Sequence, residues 1–143
     1  MKKKFNCVLL IDDNDDTNYF NRRLLNKMEV TEKIQVAENG QEALDFLSNR
    51  GSFLMHEKNY PAPMLILLDL NMPAMNGWEF LEEYHKLPAE QKGKIVLVML
   101  TSSPNPEDAD HANNNEDVVG FVKKPLTMDA MEKIIRDYFP ELI

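Results

Sequence analysis

Short apolar runs that break off on a charged or hydroxyl side chain are the feature that most restricts what this chain can become. Val8-Leu9-Leu10-Ile11 stops at Asp12-Asp13, and Met64-Leu65-Ile66-Leu67-Leu68 stops at Asp69 before the turn Leu70-Asn71-Met72-Pro73. Segments of helical period lie between such runs, and this alternation predicts an α/β domain with a parallel sheet. Runs that are apolar at nearly every position belong at the sheet centre, covered on both faces. In such a sheet the carboxyl ends of neighbouring strands face one crevice, where ligands bind. Carboxylates gathered there repel one another, so a divalent cation is the expected neutraliser.

Strands are predicted near Phe5–Ile11, Lys33–Ala37, Met64–Asp69, Ile95–Thr101 and Val118–Val122, each followed by a helix. The second has the look of an edge, because Ile34 and Val36 alternate with polar residues. Phe20, Leu24 and Met28 at four-residue spacing, and Met131, Ile134, Ile135 and Tyr138, read as core-facing helix stripes. Asp15 or Asp16 is the expected cap of the first helix; Asn105-Pro106 followed by Glu107-Asp108 reads as cap, first-turn proline and acidic first turn of the fourth. That fourth helix offers only Ala109 and Ala112 as apolar surface, so it should be loosely held. Asn49–Pro63 is longer than the usual ~2–6 residue connection and reads as a surface extension.

At 143 residues the chain suits one domain spanning 1–143, with no linker leading to a second. A net charge of −8 opposes a broad grip on nucleic acid or anionic membrane and favours protein or small-ligand partners. Asp12 interrupts the apolar stretch after Met1-Lys2-Lys3-Lys4, which excludes a signal peptide or membrane span there. The sole cysteine, Cys7, cannot form an internal disulfide and is expected to be a small buried hydrophobe in a cytoplasmic protein. His56, His85 and His111 have no ligand spacing and read as solvated; Trp78, Phe80, Leu81 and Tyr84 read as packing residues.

The strand ends bring together Asp12 and Asp13, Asp69, Thr101-Ser102-Ser103 and Lys123-Lys124-Pro125. A carboxylate can attack phosphorus and form an acyl phosphate. Such attack needs the phosphoryl oxygens neutralised by a carboxylate-held cation, an ammonium and a hydroxyl. Pro125 keeps the residue before it extended, so Lys124 should project at the rim and Lys123 to the other face.

Five stretches in order resemble a response-regulator receiver domain of two-component signalling, the CheY-like family. They are Leu9-Leu10-Ile11-Asp12-Asp13, Ala37 to Leu44, Leu67 to Pro73 with Gly77, Leu100-Thr101-Ser102, and Gly120 to Pro125. The resemblance implies a doubly wound (βα)5 fold with a flavodoxin-like five-stranded parallel sheet in order 2-1-3-4-5 and helices on both faces, an order the family itself exemplifies. It implies Asp69 as phosphoacceptor, Asp12 and Asp13 as the acidic pair for magnesium or, in its place, manganese, and the backbone carbonyl of Asn71 as a further ligand. Thr101 would be the hydroxyl that moves to the phosphoryl group, Lys124 the lysine that pairs with it, and Phe121 the aromatic whose rotamer reports the state. A sensor histidine kinase or a histidine phosphotransfer protein would be the donor. The expected product is a cytoplasmic switch, monomer or weak homodimer, with weak self-phosphotransfer and autodephosphorylation, no output domain, no nucleic-acid partner and no membrane insertion. Longer receivers partnered to phytochrome-type kinases carry an extension like Asn49–Pro63.

Two other chemistries compete. A haloacid-dehalogenase-like, magnesium-dependent aspartyl phosphatase also uses a strand-end aspartate, but its acid/base aspartate falls two residues later, where this chain has Asn71. A flavin-binding domain needs a phosphate-cradling first loop, and Asp12-Asp13-Asn14-Asp15-Asp16 would repel a phosphate.

Overall fold

The computed structural model describes residues 4–48, 63–72, 74–88, 96–102 and 105–142. Its strands are β1 (Phe5–Ile11), β2 (Thr31–Ala37), β3 (Leu65–Asp69), β4 (Val96–Thr101) and β5 (Val118–Lys123). Its helices are α1 (Asp15–Met28), α2 (Gly40–Ser48), α3 (Gly77–His85), α4 (Pro106–Asn113) and α5 (Met128–Tyr138), with a short 3-10 turn at Pro140–Leu142. The strands form one parallel sheet, as the alternation of runs predicts, in the order β2-β1-β3-β4-β5 that the family resemblance implies. Most of the Asn49–Pro63 extension, together with Ile95, Pro73 and Ser103, lies outside the described residues.

The apolar strands separate two cores. Leu9, Ile11, Ile66, Leu68, Leu97 and Met99 pack with Leu44, Phe46, Phe80 and Leu81 of α2 and α3. Val8, Leu10, Leu65, Leu67, Val98 and Leu100 pack with Leu25 of α1 and Met131, Ile134 and Ile135 of α5. Side chains alternate across a strand, so one continuous apolar run feeds both faces. Beyond α5 the Phe139 ring meets Phe5 edge-on, with centroids 4.7 Å apart.

Four expectations need correction. Phe20 is 64% exposed, and the inner face of α1 carries Asn18, Asn21 and Leu25, with Leu24 and Met28 half-buried at its margin. The cap of α1 is Asn14, whose side chain accepts from the Thr17 N–H at 2.9 Å; Asp15 and Asp16 lie inside the first turn, where their charge suits the helix dipole. Tyr138 is exposed rather than core-facing, and its hydroxyl donates to the Val119 carbonyl at 2.6 Å. That carbonyl sits at an irregularity: Leu97 pairs with Val118 and Val98 with Gly120, so Val119 is the extra residue of a bulge. β2 also starts at Thr31, two residues earlier than expected, its hydroxyl donating to the carbonyls of Phe5 and Lys33.

α4 is capped as its sequence implies, with the Asn105 side chain accepting from the Asp108 N–H at 2.8 Å and Pro106 in the first turn. Only Ala112 of this helix is buried.

Candidate functional site

Each site residue stands where an apolar strand stops. Asp12 follows β1, its N–H donating to Ala37 in β2 at 3.1 Å, while the Asn14 N–H donates to its Oδ1 at 2.9 Å. Asp69 is the last residue of β3, and the next N–H, of Leu70, donates to Leu100 of β4. Gly77, the first residue of α3, allows that helix to start against this strand end: a Cβ there would come within 2.9 Å of the Asp69 carbonyl oxygen. Thr101 closes β4 fully buried, and its carbonyl accepts the Lys124 N–H at 2.7 Å, which ties the ends of β4 and β5 together.

The lysine then reaches across the crevice. Lys124 Nζ is 2.7 Å from Asp12 Oδ2 and 2.9 Å from Asp69 Oδ1, and all three side chains are largely buried. Lys123 is exposed and ends β5, so Lys124 lies just past the strand; the Lys124-Pro125 peptide itself is cis. Asp12, Asp13 and Asp69 can each present a carboxylate oxygen within 4.8 Å of the others, with Asp13 on the exposed side. Asn71 has an exposed side chain, and its backbone hydrogen-bonds the Asp69 carboxylate. Phe121 is half-buried against the Leu97 and Met99 core.

Burial raises the Asp69 carboxyl above its ordinary range; Lys124 opposes this and the charge of Asp12 reinforces it. Burial acts to lower Lys124, but its hydrogen bonds and charge pairing with Asp12 and Asp69 outweigh that and hold it protonated. One ammonium therefore faces three carboxylates, a cluster that remains under-neutralised. All-oxygen donors of this kind fit a hard divalent cation that keeps part of its water. Cys7 fits its expected buried role, its thiol pushed up to about 11 by desolvation.

The structure therefore brings Asp12, Asp13, Asp69, Thr101 and Lys124 to one crevice and leaves Phe121 at its flank. Sequence reading missed Asn14 as the residue that joins the helix cap to the acidic loop. It also missed two histidine contacts: His85 Nδ1 lies 3.0 Å from Asp117 and 3.3 Å from Glu116, and the His111 ring stacks on Trp78 at 3.8 Å. Those depend on α3 meeting α4, which spacing within one helix does not reveal. His56 lies outside the described residues.

Residues 8–136 match the family described as the response regulator receiver domain. The chain belongs to that family. A two-component response regulator from Cytophaga hutchinsonii has the same fold at TM-score 0.83 and 30% identity, over 96% of this chain and 99% of that one. The bacteriophytochrome response regulator AtBRR superposes at TM-score 0.78 with 31% identity, over 94% and 93% of the two chains. Response regulator Rcp1 of Synechocystis is 32% identical over 71% of this chain and 65% of its own length. This receiver is therefore a phosphorylatable switch whose family takes its phosphoryl group from donors such as histidine kinases, and the phosphatase reading finds no support among these relatives. Among the described residues no helix is long and apolar enough to cross a membrane.

Proposed function

We propose that Asp69 is the phosphoacceptor and that residues 1–143 act as one receiver unit. The observation that carries this reading is the Lys124 ammonium bridging Asp12 and Asp69 at 2.7 and 2.9 Å, with Asp13 completing an oxygen cluster beside it. An Asp69 oxygen forms the new bond to phosphorus while the phosphorus–nitrogen bond to the donor histidine breaks, its electron pair leaving on the imidazole. Asp12, Asp13 and Asp69, with the Asn71 backbone carbonyl, would hold magnesium, or manganese in its place. When bound, the metal supplies charge neutralisation on the phosphoryl oxygens. Lys124 supplies a second cation, and Thr101 a hydroxyl that shifts toward the new oxygens and vacates room for Phe121 to turn inward. Slow autodephosphorylation then resets the switch, with small phosphodonors also accepted.

A sensor histidine kinase or histidine phosphotransfer protein is the donor in this reading. Exposed Phe20 lines a crevice that reaches Ser102, Lys124 and Pro125, and the exposed Tyr19 ring packs edge-on against Phe20, which offers such a donor an apolar landing beside the acceptor. The likeness to a bacteriophytochrome regulator makes a phytochrome-type kinase the first donor to test. The protein would work in the cytoplasm, as monomer or weak homodimer, without nucleic acid. With magnesium and acetyl phosphate, wild type should gain one acid-labile phosphoryl group and Asp69→Asn none. Mass spectrometry that finds the group retained in the variant, or on a serine, would overturn the assignment.

A further inference from the structure

Asn18 and Asn21 are 4% and 6% exposed on the inner face of α1, where packing against a sheet would ordinarily select apolar side chains. Burying an amide is unfavourable unless its donors and acceptors are met. Asn18 meets half of that requirement at the acidic loop. Its Nδ2 donates to the Asp12 backbone carbonyl at 2.8 Å in buried surroundings. That carbonyl belongs to the peptide joining Asp12 to Asp13, so the bond fixes the plane from which both acidic side chains diverge. The same loop is held twice more: the Asn14 N–H donates to Asp12 Oδ1, and the Asn18 N–H donates to the Asn14 carbonyl at 3.1 Å. Helix and acidic loop therefore form one hydrogen-bonded unit, in which the Asn18 side chain ties the helix to the loop backbone.

The other half of the amide is unmet. Asn18 Oδ1 is buried and receives no hydrogen bond from the described residues. The orientation of the amide is not arbitrary, because only Nδ2 can donate to the Asp12 carbonyl. A buried oxygen in this position calls for an ordered water.

We infer that Asn18 is a positioning residue for the acidic pair, holding the Asp12–Asp13 peptide by its amide nitrogen while its amide oxygen takes a hydrogen bond from a buried water. This rests on the reading of Asp12 and Asp13 as magnesium ligands, and it adds to that reading a residue that touches neither metal nor phosphoryl group. Partners that orient ligands commonly change metal affinity by about tenfold or more when removed.

The test is a titration of the metal-free protein with magnesium chloride, followed by amide shifts of the acidic loop, beside thermal unfolding of each variant. Asn18→Leu fills nearly the same volume without the hydrogen bond, so its unfolding midpoint should stay near that of wild type while magnesium affinity falls about tenfold. Leu24→Ala, a packing change on the same helix, should lower the midpoint and leave magnesium affinity as it was. If Asn18→Leu binds magnesium as wild type does while Asp13→Ala binds it poorly, the positioning role is wrong and the metal reading stands. If Asp13→Ala also binds as wild type does, the metal reading fails and takes the role of Asn18 with it.

Discussion

α5 and α4 both border β5, yet they are attached in opposite ways. α5 drives Met131, Ile134 and Ile135 into the core formed by Val8, Leu65 and Val98. α4 buries Ala112 alone, and its link to α3 runs through a stack of exposed His111 on half-buried Trp78, with His85 reaching Asp117 and Glu116 just beyond the helix. Apolar burial is lost on any displacement, whereas exposed polar contacts are readily exchanged for water. The difference teaches where this receiver can move at low cost: a phosphoryl group supplies only a few new contacts, which shift an equilibrium by no more than their own free energy. A helix held as α4 is held lies within that reach, and one held as α5 is does not.

The largest expected effect is on the rigid side. Met131→Ala should lower unfolding free energy by about 3 kcal/mol in a urea titration. A loss no greater than that from substitutions in α4 would erase the contrast.

Next in size is the crevice at the strand ends, where rigidity is maintained against charge repulsion. Burial lifts the Asp69 carboxyl, so the folded state binds its proton more tightly than the unfolded chain does. Stability from this group is therefore greatest at low pH, and it declines as pH climbs through the ordinary aspartate range and past the raised value. Asp69→Asn should flatten that decline and raise the midpoint of the metal-free protein at neutral pH. Magnesium at ten times its dissociation constant should stabilise wild type by about 1.4 kcal/mol. A midpoint for Asp69→Asn below that of wild type would mean that the carboxylate stabilises the fold and that the cluster is not under-neutralised.

The smallest effect on stability belongs to the mobile side. His111→Ala removes one ring stack and should cost about 0.5 kcal/mol. Its spectroscopic effect should be larger, because Trp78 is the sole tryptophan and His111 lies 3.8 Å above it. Beryllofluoride should change Trp78 emission in wild type and much less in His111→Ala. Equal responses would show that α4 stays in place when the acceptor is engaged.

The sheet was legible because Val8 to Ile11 and Met64 to Leu68 leave no face for water, and the crevice because its groups sit one residue beyond such runs. α1 was not. Phe20, Leu24 and Met28 satisfy helical spacing, but so do Asn18, Asn21 and Leu25, and hydropathy favours the first set. What decides the rotation includes a hydrogen bond from Asn18 to a backbone carbonyl, an interaction that exists only once the loop is folded. The histidine contacts were hidden for the same reason, since each partner lies on another segment.

The bulge at Val119 bears on company rather than chemistry. β5 is a border strand, and an unmodified border presents free backbone groups on which a stranger's strand can continue the ladder. Here the strand is short, one residue is thrown out of step, and the carbonyl so released is already taken by the Tyr138 hydroxyl. A second chain that approaches this border finds no regular row of acceptors to extend, so whatever docks there must recognise side chains such as Val119 and Tyr138, and runaway strand addition is blocked along this side of the sheet.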